Sequence, residues 1–176
     1  MTKPFKLIEA FSEQVKSLGP LKRAWFTTFN LNIDFFERHV LSALLERDKP
    51  RSRIDFELMQ QTLNGKLKET KKSNRKIESA IDVKIFADQR MYDARDVKRT
   101  AIETYGVNPL LLDKHSTRYG LFGDRTLFHP KVIYLEDEQG KAILGVGSAN
   151  LTVSGWSTNQ EVFVFKEVEH KKQLYP

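Results

Sequence analysis

Phe128-His129-Pro130-Lys131-Val132-Ile133-Tyr134-Leu135-Glu136-Asp137-Glu138-Gln139-Gly140-Lys141-Ala142-Ile143-Leu144-Gly145-Val146-Gly147-Ser148-Ala149-Asn150 is the stretch that decides the fold. Residues 129–135, rich in Val, Ile and Tyr, read as a strand. A turn over 137–140 and a second apolar run over 142–146 make it a hairpin. Side chains two apart on a strand share a face, so His129 and Lys131 point the same way and Pro130, which lacks an amide hydrogen, points the other. Ser148 and Asn150 repeat that spacing at the end of the second strand, ahead of a short helical turn expected over 151–156 and closed by Gly155. Imidazole can act as nucleophile or acid, ammonium supplies point charge, and hydroxyl and carboxamide donate to anionic oxygens. Taken singly, each residue has a structural alternative: Asn150 and Thr152 as helix caps, Ser148 as a turn residue, His129 as a strand residue.

Working outward from the hairpin, residues 5–18 carry apolar side chains at Phe5, Ile8, Phe11, Val15 and Leu18, a helical stripe closed by Gly19-Pro20. Residues 21–29 read as a buried strand. Asn32 or Asp34 can cap a helix over 33–45 whose Phe35, Phe36, Val40, Leu41, Leu44 and Leu45 face a core. Residues 54–68 are ambiguous, a short strand at 54–58 passing into helix being one reading; after them come a strand at 83–87, a helix at 93–105, a short strand at 109–112, and a last strand at 161–165. Trp25, Trp156 and the Phe35-Phe36 pair are expected in the core, and Thr27, Thr28 and Asn30 fall at the end of the first strand, where α/β sheets present ligand sites. The order predicts an α/β protein: a mixed β-sheet flanked by helices on both faces, one domain over 1–176.

His129-x-Lys131, then Glu136 after four residues, then Gly147-Ser148-x-Asn150 and Asn159-x-Glu161 resemble one copy of the phospholipase D superfamily signature. The close match covers about residues 125–166. The resemblance implies a phospholipase D-like fold with one motif per chain, and a phosphodiesterase that needs no cofactor and no metal. It implies His129 as the nucleophile that forms a phosphohistidine, with Lys131, Ser148 and Asn150 holding the phosphate oxygens. Glu161 matches the acid that receives the other imidazole nitrogen, and Glu136 stands where most relatives carry Asp, either as support behind the site or as a solvated turn charge. The connection to Gly147 is longer than the usual spacing.

The chain of 176 residues is 40% hydrophobic, long enough for one core, and no stretch approaches the roughly 20 apolar residues of a membrane span. It has no cysteine and opens on an amphipathic helical pattern rather than an apolar signal core, which points to the cytoplasm. The net charge of +6 is concentrated in segment 64–76, where Lys66, Lys68, Lys71, Lys72, Arg75 and Lys76 stand against Glu69 alone. Exposed, that segment could follow a nucleic-acid backbone; otherwise it is a solvated helix face or linker. Segment 113–127, with His115, Arg118, Tyr119, Phe122 and Arg125, leads into His129 and reads as a rim of the site or as a packed surface loop. Arg118, Arg125, Lys71 and Lys72 are the candidate substrate contacts.

Release of the leaving oxygen needs a second imidazole, supplied in this family by a second motif. Of His39, His115, His129 and His170, His129 alone has the setting. Either two chains pair as a homodimer with His129 facing its copy across a two-fold axis, or the chain is the first half of a longer protein. The expectation is a metal-independent DNA endonuclease of restriction, repair or defence type. A lipid-acting phospholipase or phosphatidyl transferase, a tyrosyl-DNA phosphodiesterase-like enzyme and a catalytically silent nucleic-acid-binding or dimerisation module use the same residues differently.

Overall fold

The computed structural model describes residues 6–65, 80–91, 100, 102–109 and 127–168. Their centre is a six-stranded sheet of β1 (Leu21–Thr28), β2 (Asp82–Asp88), β3 (Glu103–Val107), β4 (Val132–Asp137), β5 (Ala142–Gly147) and β6 (Phe163–Val168), in the spatial order β3-β2-β1-β4-β5-β6. β1, β2 and β3 run parallel, and β4, β5 and β6 continue the sheet antiparallel. The protein is therefore of the α/β class with a mixed sheet. This topology gathers the carboxyl ends of β1, β2, β3 and β5, together with the amino ends of β4 and β6, at one end of the sheet. Every motif residue except Glu136 is at that end.

α1 (Leu7–Lys16) buries Ala10, Phe11 and Val15. Asn32 accepts a hydrogen bond from the Phe35 amide (2.8 Å) and starts a helical run made of α2 (Ile33–Phe35), a wider π-type turn (Phe36–Val40) and α3 (Leu41–Leu44). α4 (Arg53–Leu63) begins at Ser52, whose hydroxyl accepts from the Asp55 amide at 3.1 Å, and Arg53 pairs with Glu57 one turn on. A cap and an i,i+4 pair favour helix here, so the strand expected at 54–58 does not form.

Phe11, Val15, Phe36, Leu41, Leu44, Met59 and Leu63 from the helices join Ala24, Phe26, Val83, Ile85, Ile133, Leu135 and Ile143 from the strands in one buried cluster. Trp156 is buried against Phe11 (ring centroids 5.3 Å) and Phe35 (5.8 Å). The described helices thus cover one face. Trp25 points to the other, half-buried among Tyr134, Arg23 and Lys84 rather than in the core. The helix expected over 93–105 does not include its last three residues, because Glu103–Val107 is a strand paired with β2. That strand lies ahead of the one expected at 109–112. Residues 92–99, 101 and 110–112 lie outside the described residues.

The hairpin forms as expected, with the β4 ladder opening three residues late at Val132 and β5 opening at Ala142; β6 opens at Phe163 rather than Glu161. Asp137 closes its turn, accepting from Gln139 and Lys141 amides (3.0 and 2.8 Å) through one oxygen and from Gly19 (2.9 Å) through the other. Gly147 is required where β5 meets β6, since a Cβ there would collide with the Phe163 ring and the Val162 carbonyl.

Candidate active site

Lys131 and His129 lie just ahead of the β4 ladder. The Val132 amide donates to the Thr27 hydroxyl (2.8 Å) and the Gly147 amide to the Lys131 carbonyl (3.1 Å), which fixes Lys131 between β1 and β5. Its ammonium lies 2.8 and 3.0 Å from the two ring nitrogens of the exposed His129, and donates to the His129 carbonyl at 3.1 Å. Near-equal reach to both nitrogens puts the cation over the ring face rather than in line with either lone pair. The shared face read from the sequence is thereby formed. Lys131 is 6% exposed, and burial lowers its pKa while the nearby Glu161 carboxylate opposes that shift. Phe29 packs on the imidazole with ring centroids 4.9 Å apart.

Asn150 is held by β1. Its Oδ1 accepts from the amides of Phe29 (3.2 Å) and Asn30 (3.1 Å) and from the buried Thr28 hydroxyl (3.3 Å), and the Leu151 amide donates to that hydroxyl at 3.0 Å. With the oxygen committed to three donors, the orientation of the carboxamide is set and its NH2 remains the donor end. Gly155 sits inside the π-type turn Ser154–Thr158, where a Cβ would come within 2.5 Å of the Asn150 carbonyl oxygen; it holds Asn150 in place rather than closing the turn.

Ser148 donates to Glu161 in a short hydrogen bond, and the Asn159 amide group donates to the other Glu161 oxygen at 3.3 Å. Among the described residues Glu161 makes no hydrogen bond to His129. Its contacts join it to Ser148 and, through its field, to Lys131. Glu136 is not brought to the site. It is buried five residues along β4 from Lys131, on the face opposite the described helices, accepting from Arg23 (2.8 Å), Tyr134 (3.1 Å) and Lys22 (3.3 Å). Burial raises its pKa, but those three donors outweigh burial and leave it below the usual value. Arg118, Arg125, Lys71 and Lys72 lie outside the described residues, as do His115 and His170. His39 stacks on Phe35 in the helical layer (5.2 Å, 20°).

Asp88, the fully buried last residue of β2, was not singled out from the sequence. It accepts from the Phe128 amide (2.9 Å), from the Arg90 amide (2.9 Å) and from the Arg90 guanidinium at 3.1 and 3.0 Å. The Arg90 guanidinium is the main reason its pKa falls to about 2, against the opposing cost of burial. Asp88 thereby anchors the residue next to His129. The signal available was an Asp-x-Arg at the carboxyl end of an apolar strand.

No family model and no curated protein sequence matches the chain. Among solved structures, that of a yeast tyrosyl-DNA phosphodiesterase variant is similar, with 15% identity and a TM-score of 0.42 over 88% of this chain and 28% of that one. The chain thus spans under a third of that protein's length.

Proposed function

We propose that this chain is a phosphodiesterase of the phospholipase D type that cleaves nucleic acid, DNA foremost, through a phosphohistidine and without a metal ion. The observation that carries the reading is the pairing of His129 with the Lys131 ammonium at 2.8 Å, at the same end of the sheet as an Asn150 amide whose oxygen is committed to the backbone just past β1. His129 attacks phosphorus in line, forming a P–N bond as the P–O bond to one sugar oxygen breaks. Lys131, Ser148 and Asn150 hold the non-bridging oxygens as charge builds on them. A second imidazole gives its proton to the departing oxygen, and water then cleaves the P–N bond. We assign that second imidazole to His129 of another copy in a homodimer; a second motif in a longer chain is the other source. The two imidazoles must share one proton, so the rate should be bell-shaped in pH.

Glu161 is the supporting acid, acting through Ser148 and on Lys131, and Glu136 is a strut of the hairpin. The concentration of positive charge at 64–76 favours a polyanion over a lipid. The test is single-stranded and duplex DNA hydrolysis with excess chelator present, with acid-labile, base-stable 32P label trapped on the protein. Activity that vanishes in chelator and returns with magnesium would overturn the mechanism. Hydrolysis of phosphatidylcholine vesicles but not DNA would overturn the substrate.

A further inference from the structure

We propose a second binding surface for the nucleic-acid strand, away from the His129 site: the cleft between the helical run 33–44 and the start of α4. It has a volume of about 630 Å³ and is lined by Arg38, Arg51, Arg53, Phe56 and Gln60, with Glu37 and Glu57 among its other walls. A cavity of this size suits a nucleotide-sized group. Arg53 is engaged with Glu57 at 3.1 Å. Arg38 and Arg51 are exposed, and among the described residues neither guanidinium has a carboxylate partner. With Arg53 paired to Glu57, the lining sets Arg38 and Arg51 against the single carboxylate of Glu37, and that excess of positive charge favours an anion between the two arginines. Guanidinium forks match phosphate oxygens bidentately. Phe56 adds a ring against which a base can pack.

Position in the fold ties the cleft to the site. Leu31 bridges to Leu151, and the Asn32 amide donates to the Leu151 carbonyl at 2.9 Å, so the helical run starts beside Asn150. Arg38 follows Asn32 by less than two turns, about 9 Å of helix rise. That is on the order of three phosphate steps along one DNA strand. A strand with its scissile phosphate at His129 can therefore lay a neighbouring segment in the cleft without leaving the protein. The nucleic-acid identity of the ligand rests on the proposed function; the anion preference rests on the arginines.

The experiment compares wild type with Arg38→Gln, Arg51→Gln and the double variant, with Arg38→Lys/Arg51→Lys and thermal melting as controls for folding. Two readouts are taken: anisotropy of a labelled single strand of about 12 nucleotides across a salt series, and hydrolysis of bis(4-nitrophenyl) phosphate, which is too small to reach the cleft. The double glutamine variant should bind the strand at least about tenfold more weakly, with the salt slope shrinking by about 0.7 for each lost phosphate contact, and hydrolysis of the small ester should be unchanged. Unchanged affinity and slope in a folded double variant would overturn the cleft, as would a wild type that binds no strand. Competition by inorganic phosphate as effective as by the strand would also overturn it, leaving a small-anion pocket. A wild type that binds the strand through these arginines but hydrolyses neither substrate would overturn the phosphodiesterase reading and leave the cleft standing.

Discussion

Asn150 shows how a single donor is made useful. The Phe29 and Asn30 amides just past β1, with the Thr28 hydroxyl at its end, hold its oxygen, so its NH2 is presented without the reorganisation a free carboxamide would need. Asn150→Ala should lower kcat by about 10²–10³ with a smaller effect on KM. Thr28→Val should lower kcat less and also destabilise the fold by about 1–3 kcal/mol, because the Leu151 amide loses its buried acceptor; steady-state kinetics and urea melts separate the two effects. Asp88 gives a pH signature. Its folded pKa of about 2 lies below its ordinary 3.8, so its stabilisation is fully present above about pH 4 and is lost as pH falls through 2. The contribution is about 2 kcal/mol. Urea midpoints from pH 7 to pH 2.5 should fall more steeply in wild type than in Asp88→Asn, and parallel curves would contradict the assignment. Chemical type at these positions is legible in the sequence, since the period-two spacing pairs His129 with Lys131 and Ser148 with Asn150, and the four together carry the resemblance to a known signature. The partners are not, because Thr28 and Asp88 reach them across more than a hundred and about forty residues respectively.

At the scale of elements, the hairpin, α1, β1, the helical run after Asn32 and β2 follow from apolar periodicity and caps. The failures have different causes. Residues 54–58 alternate enough to resemble a strand, but the Ser52 cap and the Arg53–Glu57 pair act over one turn and favour helix. Glu103–Val107 becomes a strand because β2 offers it a parallel edge, which no local signal announces. Glu136 belongs to this scale too: it ties β4 to β1 through Arg23 and Lys22 on the face opposite the described helices. With partners half exposed to water, Glu136→Gln should cost about 1–2 kcal/mol in thermal or urea unfolding. Its kcat, measured where both proteins are folded, should barely change, and a large loss of kcat at intact stability would return Glu136 to the chemistry.

For the whole molecule, the sheet order assembles the proposed site: β4 beside β1 and β5 sets three strand ends around His129 and Lys131, at one rim of the sheet. A shared two-histidine site predicts a specific result on mixing. With equal, freely exchanging amounts of wild type and His129→Ala, activity should fall to about one quarter of an all-wild-type sample of the same total concentration, as only homodimers of wild type keep both imidazoles. Activity near one half would mean independent chains. By itself the sequence determined which reactive side chains are offered and most of the local structure, because strand period, caps and the motif residue types are set by neighbours a few positions apart. Only the tertiary structure decided that Glu136 stands apart from the site, that Glu161 meets Ser148 rather than His129, and that Thr28 and Asp88 hold the apparatus. Those contacts depend on which strands become neighbours, and that is settled by burying one shared core rather than by any local pattern.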